Sequence, residues 1–229
     1  MSQHGGKVLF TAADCTGHGV PGAFMSMIGT ALLNETVNEQ DNTIPSKILD
    51  YVKAGVIKSL KQGEYGESKD GMDAALCAID FSKNILEFAG ANNPLYIIRK
   101  SEVGGLFDHN GKELKIAPYL EEDGLNLYEV KADKMPLAYY PGCEGKFFTN
   151  NYIQLQNGDS IYVASDGFPD QFGGVKGKKF MYKKFKRLLM TFYYETMDQQ
   201  NELLEKSILD WMGNEHEQID DICIIGVKI

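Results

Sequence analysis

Three aspartates fall at the same kind of position. Asp14 ends the apolar run "KVLFTAAD", Asp166 ends "SIYVASD", and Asp220 stands just before the closing apolar run "ICIIGV". Each is a carboxylate at the tip of a predicted strand, and glycine follows closely on the first two. If the strands are neighbours, the acids meet at one sheet edge. Crowded carboxylates repel unless protons or cations intervene, so such a meeting point suits hard divalent cations with oxygen ligands. No Cys/His spacing suggests zinc instead. Two Mg2+ or Mn2+ ions, typically ~3.5–4 Å apart, turn a bridging water into a nucleophile and shield phosphoryl oxygens, which makes phosphate-ester hydrolysis the natural chemistry. Aspartate and glycine also make turns after strands, so turn chemistry explains any one of these sites equally well.

The elements that position these acids can be read from periodicity. Residues 7–13 are near-continuously apolar and too short for a typical helix, which predicts a strand covered on both faces. In "PGAFMSMIGTALLNETV" Pro21 suits a first helical turn, and Phe24, Ile28, Ala31 and Leu32 recur at helical spacing. A second helix has Thr43 as N-cap, Pro45 early, an apolar face of Ile48, Leu49, Val52, Val56, Ile57 and Leu60, and Gly63 as its stop. "DAALCAIDFSKNILEFAGANNPLYIIRK" predicts a meander with turns at Ser82-Lys83-Asn84 and Asn92-Asn93-Pro94. Asn110-Gly111 is a hairpin signal, and two more strands flank Asn157-Gly158. Residues 178–213 return to helix, with Phe185, Leu188, Leu189, Leu203, Leu204, Ile208, Trp211 and Met212 apolar before Gly213. Two pairs of helices flanking antiparallel strands give an α+β class, and with no linker or repeat one domain spans residues 1–229.

A net charge of -9 and only two arginines, Arg99 and Arg187, exclude nucleic acid as a partner, because polyanion binders need a basic face. Cys15, Cys77, Cys143 and Cys223 are scattered with no CxxC pair and no signal peptide, which points to the reducing cytoplasm. No window approaches the ~20 apolar residues that span a bilayer, although a longer parent can still be membrane-tethered.

"ADCTGHGVPGAFMSMIG", "KDGMDAALCAID", "FAGANNPLYIIR", "ASDGFPDQFGG" and "IDDICIIGV", in that order, resemble the bacterial SpoIIE/RsbU-like branch of the type 2C (PPM) metal-dependent Ser/Thr protein phosphatases. The likeness covers nearly the whole chain. It implies a four-layer α-β-β-α sandwich with a two-metal centre holding Mn2+ or Mg2+ at one end. By motif position Asp14 bridges both ions, the main-chain carbonyl of Cys15 reaches one, and Asp166 and Asp220 hold the other. Asp221 would orient those ligands. Asp70 and Asp73 have turn and strand-start duty as their best reading. His18 suits a turn better than general acid catalysis, and His109 and His216 read as solvated surface.

The resemblance implies hydrolysis of phosphoserine or phosphothreonine on a signalling protein by a metal-bound hydroxide. Its substrate would be a phosphoprotein such as an anti-sigma-factor antagonist, under an upstream sensor domain of the parent chain. The alternative is a non-catalytic phosphatase-fold interaction or dimerisation module, a homodimer for instance. A nucleotide phosphoesterase ranks lower, since no GxxxxGK[ST] loop is present.

There are three departures from the family pattern. "MSQHGG" lacks the Ser-Gly-Asp-Phe-Tyr-like strand and its acid, so the chain reads as truncated by an N-terminal strand or hairpin. Ala91 replaces a common acid, and no arginine is placed to hold substrate phosphate. Lys176, Lys178 and Lys179 cluster after the SDG motif, either as a solvated loop or as a local attractor for a phosphorylated partner, and the glycines of "QFGG" permit a mobile flap.

Overall fold

The computed structural model describes residues 2–17, 19–63 and 70–229. Two five-stranded antiparallel sheets form its centre. The first runs β1 (Ser2–His4), β2 (Lys7–Cys15), β3 (Met72–Asp80), β4 (Ile85–Ala91), β8 (Asn151–Gln154) in spatial order. The second runs β12 (Ile224–Lys228), β9 (Ser160–Ala164), β5 (Leu95–Lys100), β7 (Leu125–Val130), β6 (Leu120–Glu122). Alternation along each strand sends one set of side chains between the sheets and the other toward helices. Phe10, Ala12, Cys77, Ile79, Phe88, Ile97 and Ile161 fill the space between sheets. Leu9, Ala74, Leu76 and Ala78 face α1 (Gly19–Asn34) and α2 (Pro45–Ser59), whereas Tyr96, Ile98, Leu127 and Tyr162 face α4 (Tyr182–Thr191) and α5 (Met197–Met212). The result is the α-β-β-α sandwich, and two-sided burial explains why β2 and β3 are apolar without alternation.

The predicted meander does not persist beyond one hairpin. β3 and β4 pair around residues 81–84, but at Asn92-Asn93-Pro94 the chain leaves the first sheet, and β5 pairs with β7 and β9. Asn92 adopts a left-handed φ of 60°, and its N–H donates to the Asp133 carbonyl at 2.9 Å, which turns the chain out of the first sheet. A Cβ on Gly90 would sit 2.5 Å from the Asn93 carbonyl oxygen, so this corner admits only glycine there. The strands flanking Asn157-Gly158 likewise belong to different sheets.

At that second crossing a buried ion pair fixes the geometry. Arg99 donates through Nε and Nη2 to the two oxygens of Asp159 (2.8 and 2.6 Å), and through Nη1 to the Gly105 carbonyl. The other arginine, Arg187, is bound to Glu122.

Three smaller expectations are corrected. On α1 the buried face is Gly22, Met25 and Gly29 with Ile28 and Leu32, while Phe24 is 61% exposed and Ala31 points outward. The cause is Gly29, where a Cβ would lie 2.3 Å from Met72 Sδ: the missing side chain lets β3 seat against that face. Thr43 does not cap α2. Ile44 occupies the N-cap position, and the early Ser46 N–H is satisfied from across the fold by Asn150 Oδ1 at 3.1 Å. The helix ends at Ser59, ahead of Gly63. At the amino end a short strand, β1, hairpins onto β2 through Gly5-Gly6, both at positive φ, and carries no acid. The Asp123-Gly124 turn joining β6 and β7 is a hairpin that the sequence reading did not single out. No helix among the described residues is long and apolar enough to cross a membrane.

Candidate active site

The three aspartates do come together, but across the sandwich rather than along one edge. Asp14 lies near the end of β2 in the first sheet. Asp166 follows β9, directly ahead of the short helix α3 (Gly167–Asp170), and Asp220 precedes β12, the neighbour of β9 in the second sheet. One carboxylate oxygen from each lies within 4.8 Å of the others.

Local backbone chemistry explains why. A Cβ on Gly167 would stand 2.4 Å from the Asp221 carbonyl oxygen, so the SDG and DD segments touch main chain to main chain only because residue 167 is glycine. Ser165 staples the same contact. Its Oγ donates to the Asp221 carbonyl and accepts the Cys223 N–H, both at 2.9 Å, and its own N–H donates to the Cys223 carbonyl. The Asp221 N–H donates to Asp220 Oδ1 at 2.8 Å, so the orienting role expected of residue 221 is carried by its backbone.

Asp14 and Asp73 are direct partners in the β2–β3 ladder and therefore point to the same face. Asp73 accepts the Asn92 amide at 2.8 Å and lines, with Asp14, Thr16, Gly17 and Asp220, a cavity of about 330 Å³. It stands at the start of β3, as expected, and also faces the acid cluster, which was not expected of it. Its position follows from the β2–β3 register, which the sequence does not state. Of Asp70, the main-chain carbonyl accepts the Gln62 amide.

The electrostatics are those of an over-charged corner. Burial, then the charges of Asp220 and Asp166, a hydrogen bond with Asp166 and the charge of Asp73 push the Asp14 carboxyl up to about 7. Burial raises Asp73 as well, with the Asn92 hydrogen bond opposing and Asp166 adding to the rise. Asp166 Oδ1 is buried without a hydrogen-bond partner. Carboxylate oxygens gathered within 4.8 Å of one another, beside a buried Asp166 oxygen with no partner, fit hard divalent cations. Cys15 presents no competing thiol: its Sγ accepts Ser26 Oγ at 3.5 Å, and burial raises its pKa.

A family model for stage II sporulation protein E (SpoIIE) matches residues 4–229. The chain belongs to the SpoIIE family. No curated protein sequence matches it. Among solved structures this SpoIIE-family chain is similar to the SiaA-PP2C domain of Pseudomonas aeruginosa, with TM-score 0.74 and 24% identity over 98% of this chain and 81% of that one. It is also similar to the PP2C phosphatase domain with a regulatory fragment of SpoIIE from Bacillus subtilis (TM-score 0.63, 15% identity) and spans all of its own length but 59% of that chain. A third is the catalytic domain of the serine/threonine protein phosphatase PstP, in complex with two manganese ions (TM-score 0.55, 16% identity, 99% and 92% covered). These likenesses establish the PP2C phosphatase fold, and the family match establishes the SpoIIE branch read from the motifs.

The remaining predicted residues separate cleanly. His18 lies outside the described residues. His109 is exposed with its ring 4.6 Å from that of Tyr152, whereas His216 is half-buried beside Gly177 rather than solvated. "QFGG" is no free flap, because β10 (Phe172–Gly173) pairs with β11 (Lys178–Lys179). A separate cavity of about 600 Å³ lies between α5 and β12, and none of the three aspartates lines it.

Proposed function

We propose that this SpoIIE-family chain is a divalent-cation-dependent phosphatase acting on phosphoserine or phosphothreonine of a signalling protein in the cytoplasm. The carrying observation is the convergence of Asp14, Asp166 and Asp220, with an orphaned buried oxygen on Asp166. Asp14, Asp166 and Asp220 would hold Mn2+ or Mg2+, with the carbonyl of Cys15 beside Asp14. When bound, these ions supply the positive charge that ionises water and neutralises phosphoryl oxygens.

The protein's own part is positional. Ser165 and the Asp221 backbone fix the Asp166 and Asp220 segments against each other, and the β2–β3 ladder fixes Asp14 beside Asp73. Partial burial raises the pKa of both thiols at the site, Cys15 and Cys223, which favours water over a thiolate as the attacking group. By resemblance the substrate is a small phosphoprotein such as an anti-sigma-factor antagonist, and an upstream sensor controls the parent chain.

A non-catalytic interaction module, dimeric for instance, is the second reading. It draws on the exposed apolar stripe of Val20, Phe24 and Met27 on α1. Hydrolysis of a phosphoserine peptide with and without Mn2+ separates the two readings. Mn2+-dependent release of phosphate is expected, and Mn2+ binding without any turnover would transfer the case to the module.

A further inference from the structure

The acid corner leaves an unsolved problem of charge. A phosphoryl dianion approaching it meets Asp73 and Asp170 as well as the three site acids, and both arginines are committed elsewhere, Arg99 to Asp159 and Arg187 to Glu122. The segment that follows the SDG motif supplies two donors beside it. Lys179 Nζ lies 2.8 Å from Asp170 Oδ2, and its ammonium is stabilised by Asp170 first and further by Asp166. Tyr182 opens α4 directly after Met181, whose N–H is bound to the Pro169 carbonyl of α3, and burial and the charges of Asp166, Asp170 and Asp73 push its phenol up to about 12.

The backbone between these two side chains is strained and firmly held. Met181 sits at φ 78°, ψ 140°, a region that non-glycine residues avoid at a cost of about 1–3 kcal/mol. Its N–H donates to the Pro169 carbonyl at 2.7 Å, and the neighbouring Phe180 N–H donates to the Gln171 carbonyl at 2.9 Å. Phe180 is buried between the rings of Phe168 and Trp211. The hairpin has no slack at its far side either: a Cβ on Gly173 would stand 2.0 Å from the Trp211 carbonyl oxygen, and the Gly174 N–H donates to that oxygen. Strand alternation separates Lys178 from Lys179, so one lysine of the pair turns to the Asp170 side. Strain kept in a segment anchored this tightly is the pattern of a positioned functional loop.

We propose that Lys179 and Tyr182 form a two-donor rim that holds the non-reacting oxygens of the substrate phosphoryl group, with Asp170 keeping the ammonium in place until phosphate takes it. This assignment rests on the phosphatase reading of the Asp14, Asp166 and Asp220 corner. It gives the chain a cation for phosphate where no arginine serves, and makes Lys179 a specificity-determining residue.

The test uses the Mn2+-loaded protein, with inorganic phosphate as the binding probe by calorimetry and a phosphoserine peptide for kinetics. Lys179→Ala should weaken phosphate binding and raise KM about tenfold, while Mn2+ affinity is unchanged or slightly tighter. Lys179→Arg should restore both, Tyr182→Phe should cost about threefold, and Asp170→Asn should tighten phosphate about twofold. Equal phosphate affinity in Lys179→Ala and the parent overturns the rim, as does a parallel loss of Mn2+ affinity, which marks a structural role. If no variant turns over the peptide yet phosphate binding still depends on Lys179, hydrolysis fails and the rim stands.

Discussion

Two places in this sandwich gather charge, and they are handled in opposite ways. Where the chain passes from β8 to β9, Arg99 and Asp159 are each 1% exposed, and every nitrogen of the guanidinium donates to an acceptor. At the other place Asp14, Asp73, Asp166 and Asp220 face one another with no cation in hydrogen-bond contact among the described residues, and one buried oxygen of Asp166 has no partner. The first arrangement spends its electrostatics within the fold: the pair is neutral, saturated and chemically inert. The second leaves like charges uncompensated, a state that costs stability and is relieved by a bound cation. A structural ion pair and a functional acid cluster are thus told apart by what remains unsatisfied, not by how much charge is buried.

The strongest way to break the comparison is to empty the second site. Asp14→Asn removes the first sheet's member of the Asp14, Asp166 and Asp220 cluster, so Mn2+-dependent phosphate release should fall below detection. The apo protein should nevertheless become more stable, by about 1–2 kcal/mol after allowing for solvent screening, because a repelled carboxylate is gone. Denaturant melts and peptide hydrolysis on the same preparation check both halves; retained turnover would end the assignment. The mirror experiment is Asp159→Ala, which strands a buried guanidinium and should destabilise the fold by about 3–5 kcal/mol. Mn2+ should not rescue it beyond its ordinary stabilisation.

Much of this contrast could be read from the sequence, and the limits have physical causes. Asp14, Asp166 and Asp220 were legible because each is a carboxylate at one end of an apolar run and together they fall in motifs of one family in order; any one alone reads equally well as a turn. Sheet membership was not legible. Nothing in "GANNPLY" says that the chain changes sheets, because turn residues encode a reversal and not its partner. Asp73 was missed for the same reason, since its meaning depends on the β2–β3 register that sets it opposite Asp14. The α1 face went astray because that helix is apolar on more than one side, so spacing alone could not choose between Phe24 and Met25. Small residues made the choice, and Gly29 carries no hydrophobic signal to reveal it.

A subtler perturbation keeps all four acids and shifts their frame. Gly167→Ala adds a methyl group 2.4 Å from the Asp221 carbonyl oxygen, so the two acid-bearing segments must separate. Overpacking of this kind costs about 1–3 kcal/mol. Mn2+ affinity should drop with it, whereas the Arg99–Asp159 pair should keep its protection from hydrogen exchange. A melt unchanged within error would show that the main-chain contact does not hold the site together.

The smallest effect is the pH dependence of the apo protein, and its sign is the informative part. Asp14 has a folded pKa of about 7 against an ordinary value of 3.8, so between those limits the folded state binds more protons than the unfolded state. Stability must then fall as pH rises through that window and level off above it. Asp73 is displaced in the same direction. The carboxyls held low, Asp80, Asp108 and Glu144, are fully ionised by pH 5.5 and do not contribute to a comparison of pH 5.5 with pH 8. Screening at a half-buried rim leaves about 1–2 kcal/mol, a loss of a few degrees in Tm. Saturating Mn2+ should reverse the trend, because the cation takes the ionised carboxylates and binds more tightly at pH 8. Apo and Mn2+-loaded melting curves should therefore diverge as pH rises. Curves that run parallel would mean that the repulsion among these acids is not what a cation relieves, and the distinction between the two charge clusters would lose its energetic basis.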